Sequence, residues 1–345
     1  MTEAAEETFL WRVQRLNEHF QFGKWEFDIE FIFCGMEVSQ AKDYKEIQVK
    51  AEAYIHKCKP LTVEKGRRQC PHDPCTPKEV SQLRGINGAM QWPASQCMVQ
   101  AAATVSFSQG SVETATVQTL LDANKSLRFL KSSGDVGLRI SAVSEWRDLR
   151  LGAYWDASWG SRTNGESQGG YLLFAIPEER IADGKPTPLC IIDWSSRKLQ
   201  RVSRSSLASE AQAGANAVDA LEFAKMVLTV MIRPDLKLNA PETVKYLGRS
   251  PCVTDCKALY DAAKSLAMAG GLAGMAERRT GIEIMMVNQK MCEIDGTWMW
   301  TNTFQQMATA RQKICETKFC GEASSRYARF EVRPDLHGWK TVEEV

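Results

Sequence analysis

The chain lacks the features that would send it out of the cell or into a membrane. No run of about 18 apolar residues occurs. The small-residue stretch from Ser265 to Ala276 is too short to span a bilayer and holds three glycines. The N-terminus, Met1-Thr-Glu-Ala-Ala-Glu-Glu7, is acidic, which argues against a signal peptide. A disulfide framework is missing too: the 11 cysteines are odd in number and irregular in spacing. A reduced intracellular compartment, cytoplasmic or nuclear, is the expectation. Cys70-Pro-His72-Asp-Pro-Cys75 resembles half a zinc knuckle, but no second half with matching spacing follows, so it is read as a surface loop. Formal net charge is only +1, so any surface for a polyanion must be a local patch.

What remains is an ordinary globular composition, with 44% apolar and 25% charged residues over 345 positions, long enough for two domains. Helical spacing runs from Thr8 to Phe22, and alternation over Phe27 to Val38 predicts a strand-rich stretch. Residues 59–77 hold four prolines and read as a loop. Helices are expected over Val80 to Val105 and Thr116 to Leu130, with a turn at Ser132-Ser-Gly134. From Leu138 the pattern changes. Leu149, Leu151, Ala153 and Trp155 define one face of a strand, with Asp156 on the other. Gly169 to Pro177 and Leu189 to Trp194 add two strands of an antiparallel meander. A helix follows from Ser206 to about Ile232. A fourth strand ends at Val253-Thr-Asp255, a helix runs through Leu266, and another covers Ile282 to Met291. A last strand lies near Trp298-Met-Trp300. This order describes a mixed α/β sheet flanked by helices, preceded by a smaller mixed α/β region.

Three acids stand at informative places. Asp156 ends a strand-like stretch, Asp255 ends another, and Glu210 lies in line with Ala217, Leu221, Ala224 and Leu228, the packing stripe of its helix. An unpaired carboxylate on such a stripe costs several kcal/mol or takes up a proton, unless a cation or a wet cleft meets it. Taken singly, each Asp is more often a turn former, and Asp255 could simply cap the helix that follows. Taken together, acids from two strands and a helix would converge at one end of the sheet. There, paired Mg²⁺ ions about 4 Å apart could split a phosphodiester. Arg197, Lys198, Arg201 and Arg204 fall within eight residues, just before the Glu210 helix. They suit phosphate contact, or equally an ordinary solvated loop.

These residues resemble a family. Tyr154-Trp-Asp-Ala-Ser-Trp159 is similar to the Tyr-Ser-Asp-Ala-Asp-Trp motif of copia-type (Ty1/copia) retrotransposon Pol polyproteins. Gly169-Gly-Tyr-Leu172 resembles that family's Ser-Gly-Tyr-Val, and Ile192-Asp-Trp-Ser-Ser-Arg-Lys198 its Ile-Ser-Trp-Lys-Ser-Lys-Lys. Ser205-Ser-Leu-Ala-Ser-Glu-Ala211 is similar to Ser-Ser-Thr-Glu-Ala-Glu-Tyr, with Glu210 on the second Glu. Val253-Thr-Asp-Cys256 stands where the family has a strand ending in Asp-Asn. Arg279-Thr-Gly-Ile-Glu-Ile284 resembles Arg-Thr-Lys-His-Ile-Asp-Ile. Upstream, Phe33-Cys-Gly-Met-Glu-Val38 and Leu127-Arg-Phe-Leu-Lys131 are similar to Phe-Leu-Gly-Ile-Glu-Ile and Leu-Arg-Tyr-Leu-Lys.

The resemblance implies three regions: a truncated reverse transcriptase thumb/connection-like region over 1–137, a ribonuclease H-like domain over 138–317, and a tail over 318–345. It implies Mg²⁺-dependent hydrolysis of the RNA strand of an RNA–DNA hybrid. Asp156, Glu210 and Asp255 would be the catalytic and metal-binding acids, and Arg197, Lys198, Arg201 and Arg204 would hold the nucleic acid. The polymerase motif Tyr-Val-Asp-Asp does not precede Phe33. The family's fourth acid, in Gln-x-Ala-Asp, corresponds to Thr309 of Gln306-Met-Ala-Thr-Ala-Arg-Gln-Lys313. That change weakens the second of two expected metal sites, for which Asp295 or Glu316 are the nearby acids. Ser158 and Cys256 depart from the family as well. The other reading is a catalytically degenerate nucleic-acid-binding remnant. A third is an interaction domain with no nucleic-acid role.

Overall fold

The computed structural model describes residues 11, 13–20, 29–143, 148–162, 164–181, 187–238, 240–269, 277–300 and 331–332. Thr309, Glu316 and the Gln306 to Lys313 segment lie outside them, as do Phe27 and most of the tail.

Residues 13–19 are helical, within the expected span. The strand-rich stretch expected over Phe27 to Val38 is a hairpin from Glu30 onward. β1 (Glu30–Phe33) and β2 (Met36–Gln40) pair antiparallel. Cys34 (φ 51°) and Gly35 (φ 82°) form the tight turn between them. Positive φ at both central positions matches the right-handed twist of the flanking strands. A cysteine there carries no turn signal, so the break was not legible. β3 (Glu46–Lys50) continues the sheet, and α1 (Glu52–Lys57) and α2 (Lys65–Arg68) follow.

The stretch expected to be helical from Val80 to Val105 holds two helices and a 3₁₀ turn. α3 (Pro77–Gln96) starts on a Thr76–Glu79 capping box with proline at its first position. It closes where the Pro93 carbonyl takes the N–H of both Cys97 (3.0 Å) and Met98 (2.8 Å). A 3₁₀ turn over Val99–Ala101 leads to α4 (Ala102–Gly110), and α5 (Val117–Ser132) follows. Ile55, Leu83, Met90, Leu120, Leu127 and Leu130 bury a common core between these helices. β4 (Leu138–Ser141) returns to pair with β3, so the first sheet takes its last strand from beyond residue 137.

The second sheet is mixed. β5 (Leu149–Ser158), β6 (Gln168–Pro177), the short β7 (Thr187–Pro188) and β8 (Cys190–Lys198) come first. Then α6 (Ser206–Ile232), α7 (Pro241–Lys245), β9 (Ser250–Thr254), α8 (Lys257–Ala269), α9 (Arg278–Glu293) and β10 (Gly296–Trp300) complete it. Strand order is β10-β9-β5-β6-β8, with β5-β6-β8 antiparallel and β5-β9-β10 parallel. β11 (Glu331–Val332) pairs with β7.

The sheet follows the expected pleat. Leu151, Ala153 and Trp155 join a core with Ala211, Ala217 and Leu221 of α6. Tyr154 packs on the opposite face beside Leu172, Val99 and Leu138, so the N-terminal layer covers that side. Trp194 Nε1 donates across it to the Ala94 carbonyl at 2.9 Å. Contact on the α6 side is close. A Cβ at Gly214 would come within 3.0 Å of the Trp155 indole, and one at Gly169 within 2.5 Å of Leu199. These glycines let helix and sheet approach closely. Trp155 is fully buried and meets Trp298 edge-on, with ring centroids 5.5 Å apart.

Lys225 is a buried residue that the helical stripe did not reveal. It is 0% exposed and donates to the Gly248 carbonyl (2.7 Å), Ser250 Oγ (2.9 Å) and the Ile294 carbonyl (2.6 Å). Burial pulls its pKa down to about 8, still above neutrality. The ammonium, with three hydrogens, therefore meets three acceptors and ties α6 to the starts of β9 and β10. Lys225→Met keeps the stem but strands those acceptors. Urea unfolding should show a loss of ~2–4 kcal/mol; an unchanged midpoint would refute the tie.

Candidate metal centre

All five strands end, or begin, at one end of the second sheet. β5, β8, β9 and β10 finish there, and β6 starts there, while α6 and α8 point their N-termini toward it. Asp156 lies on β5, two residues inside its end rather than at it, opposite Gly170 of β6. Glu210 sits in the second turn of α6, one turn before Gly214. Asp255 immediately follows β9. One carboxylate oxygen from each lies within 4.8 Å of the others. Asp156 (3% exposed) and Glu210 (6%) are buried, and Asp255 is half-buried.

Local structure explains how the acids meet. The parallel pairing of β9 with β5 stops at Trp155–Thr254, while β5 runs on. The Ala157 N–H therefore finds no strand on that side and donates to Glu210 Oε1 at 3.2 Å. β9 ends because Thr254 Oγ1 accepts the Cys256 N–H at 3.1 Å. The Cys256 carbonyl accepts the N–H of Tyr260, so Cys256 takes the N-cap position of α8. Asp255 sits one residue earlier, with a carboxylate oxygen beside those of Asp156 and Glu210.

The electrostatics of this cluster oppose full ionisation. Glu210 is pushed well above the ordinary carboxylate range, first by burial, then by the negative charges of Asp156 and Asp255; the Ala157 N–H opposes this. Its Oε2 is buried and receives no hydrogen bond. The Cys256 thiol is pushed up to about 11 by burial and by Glu210's charge, so it stays neutral beside the acids. The three acids offer hard oxygen donors and excess negative charge, which fits Mg²⁺. Oxygens sharing one Mg²⁺ are at most roughly 4.2 Å apart, so only a slight contraction from the present spacing is needed.

The basic residues are less free than their sequence suggests. All four are exposed. Lys198 pairs with Glu166 at 2.7 Å, and Arg201 pairs with the buried Glu283 of α9. Arg197 donates to Asn216 Oδ1 at 3.4 Å. Arg204 makes no ion pair among the described residues. The solvent-facing Lys198–Glu166 pair contributes little and is open to exchange for a phosphate, whereas Arg201 neutralises a buried carboxylate. Asp295, in the left-handed region at φ 54°, follows α9 at the opposite end of β10 from the acids. It does not join the acid group.

No family model matches the chain, and no curated protein matches it. Among solved structures, a foamy viral protease-reverse transcriptase in complex with an RNA/DNA hybrid matches with a TM-score of 0.42 and 9% identity. The match covers 94% of this chain and 36% of that one, so this chain spans about a third of that protein's length. No helix among the described residues is long and apolar enough to cross a membrane.

The raised Glu210 carboxyl has a consequence for stability. The folded chain keeps a proton that the unfolded chain releases above about pH 4.5. This group's contribution is full below that pH and is lost as pH rises through the folded value. In metal-free buffer, Glu210→Gln should flatten the fall in Tm as pH rises above about 4.5, and stabilise the chain once the wild-type carboxyl has ionised by ~1–3 kcal/mol. Saturating Mg²⁺ should raise the wild-type Tm more than the variant's. Parallel pH profiles for the two proteins would refute the assignment.

Proposed function

We propose that the chain is a retroelement-derived, ribonuclease H-like protein that hydrolyses the RNA strand of RNA–DNA hybrids with Mg²⁺. The observation that carries this reading is the meeting of Asp156, Glu210 and Asp255 from β5, α6 and β9 at one sheet edge, two of them buried. A structural role for three mutually repelling carboxylates, two of them desolvated, is hard to find, whereas a cation removes the repulsion. The five-strand order, an antiparallel meander continued by two parallel strands under a long helix, is compatible with that fold. The copia-like motifs fall on the elements that bear the acids: Tyr154 to Trp159 on and after β5, Ser205 to Ala211 at the start of α6, and Val253 to Cys256 on and after the end of β9.

Asp156 would contribute to both ions, Glu210 to one and Asp255 to the other. When bound, the ions supply an activated water and neutralise the leaving oxygen. This chain's residues do the rest. The Ala157 N–H holds Glu210 in place, Gly214 sets the depth of α6, and the exposed Arg197, Lys198, Arg201 and Arg204 lie just before α6 to meet a phosphate backbone.

The test is cleavage of a labelled RNA–DNA hybrid in Mg²⁺ by the full chain and by Asp156→Asn. The variant should lose more than the ~10–100-fold that removal of an outer-shell partner costs. Equal cleavage by both proteins would overturn the assignment. Salt-dependent binding of the hybrid without cleavage by either would identify the degenerate remnant, consistent with threonine at position 309.

A further inference from the structure

The hairpin loop between β5 and β6 carries Trp159, three residues beyond Asp156. Its side chain is unlike the other tryptophans near the acids. Trp155 and Trp298 are buried in the core, but Trp159 is 55% exposed. Leaving an indole in water forgoes the largest apolar burial any side chain offers. The ring is nevertheless held in place. Its Nε1 donates to the Ser203 carbonyl at 2.9 Å, in the loop between Arg201 and Arg204. Ser203 Oγ in turn accepts from Gln212 Nε2 at 3.0 Å, on α6 two residues after Glu210.

The residues after the ring are tied by hydrogen bonds as well. Gly160 N–H donates to Ser167 Oγ (3.1 Å), and Arg162 N–H to the Glu166 carbonyl (3.0 Å). The Arg162 guanidinium reaches into the N-terminal layer. It donates to Ser106 O (3.0 Å) and Oγ (2.9 Å) and to Gln168 Oε1 (2.9 Å), and lies over the Phe107 ring. A side chain at position 110 would collide with it, and Gly110 leaves the slot open. So the loop is clamped on one side by α4 and on the other by the basic loop, and it presents an aromatic surface to solvent.

We propose that Trp159 is a stacking platform for an unpaired nucleobase, with Arg204 taking the adjoining phosphate. In taking a polynucleotide as ligand, this rests on the reading given under Proposed function. An immobilised ring stacks without first losing rotamer freedom, and every base has a face to offer it. Edge-pinning through Nε1 leaves the ring faces available. Arg204, next in sequence to the residue that holds the indole, is exposed and makes no ion pair among the described residues. The site would therefore favour a strand with a single-stranded stretch beside the acid cluster.

The experiment is fluorescence anisotropy with the full chain and a labelled single-stranded oligothymidylate in Ca²⁺ buffer, over a series of salt concentrations. Trp159→Ala should weaken binding about ten-fold, the loss of roughly one base stack. Trp159→Phe, which keeps a stacking face, should stay within about three-fold of wild type. The slope of log affinity against log salt should be unchanged by Trp159→Ala and reduced by about one in Arg204→Ala. Trp159→Ala binding like wild type, or Trp159→Phe losing as much as Trp159→Ala, would overturn the platform. Hybrid cleavage is scored separately. Cleavage that depends on Asp156 without any Trp159 effect on binding removes this inference alone. A Trp159-dependent affinity without cleavage supports it and removes the nuclease reading. Wild type that binds no oligonucleotide at low salt removes the platform outright.

Discussion

The seating of α6 on β5 governs everything at the functional end of the molecule. Gly214 brings the helix backbone against the Trp155 indole, and Gly169 of β6 lets Leu199 and Ala213 come close beside it. Further along the helix, Lys225 ties α6 to Ser250 at the start of β9 and to Gly248 and Ile294, which precede β9 and β10, through three hydrogen bonds. One turn before Gly214, the only outcome open to Glu210 is to face the end of β5. The Ala157 N–H, left without a strand partner, completes the docking. Geometry thus forces carboxylates together against their own charge.

That charge is the second half of the account. Burial and the two aspartates push Glu210 toward its protonated form, so the folded chain holds a site that is strained when fully ionised and relieved by a proton or a divalent cation. A protein gains nothing in stability from such a cluster alone. The loops around it are built with care: Arg162 anchors one to the N-terminal layer, and Trp159 and Gln212 link it through Ser203 to the basic loop and α6.

Much of this was legible in the sequence where a simple period or motif spoke for one element. The Leu149–Trp155 alternation gave β5, and the stripe through Ala217 and Leu221 gave both α6 and the burial of Glu210. Convergence of the three acids followed from strand and helix order, because strand ends on one side of a sheet lie close together. Other features were hidden for physical reasons. The Cys34–Gly35 turn breaks a run that alternates cleanly, and α3 closes on a proline carbonyl inside an apolar pattern. Lys225 reads as a polar interruption, since its partners are backbone carbonyls with no residue signature. The pairing of Arg201 with Glu283 joins positions 82 apart, beyond the reach of any local pattern.

The central claim is that Asp156, Glu210 and Asp255 form one divalent-cation site. The most direct measurement is an anomalous difference map from crystals soaked in Mn²⁺, which takes the same oxygen ligands as Mg²⁺. The account predicts a peak bounded by the three carboxylates, lost in Asp156→Asn crystals. A map with no peak there in the wild-type protein, at Mn²⁺ concentrations that occupy ordinary carboxylate sites, would contradict it.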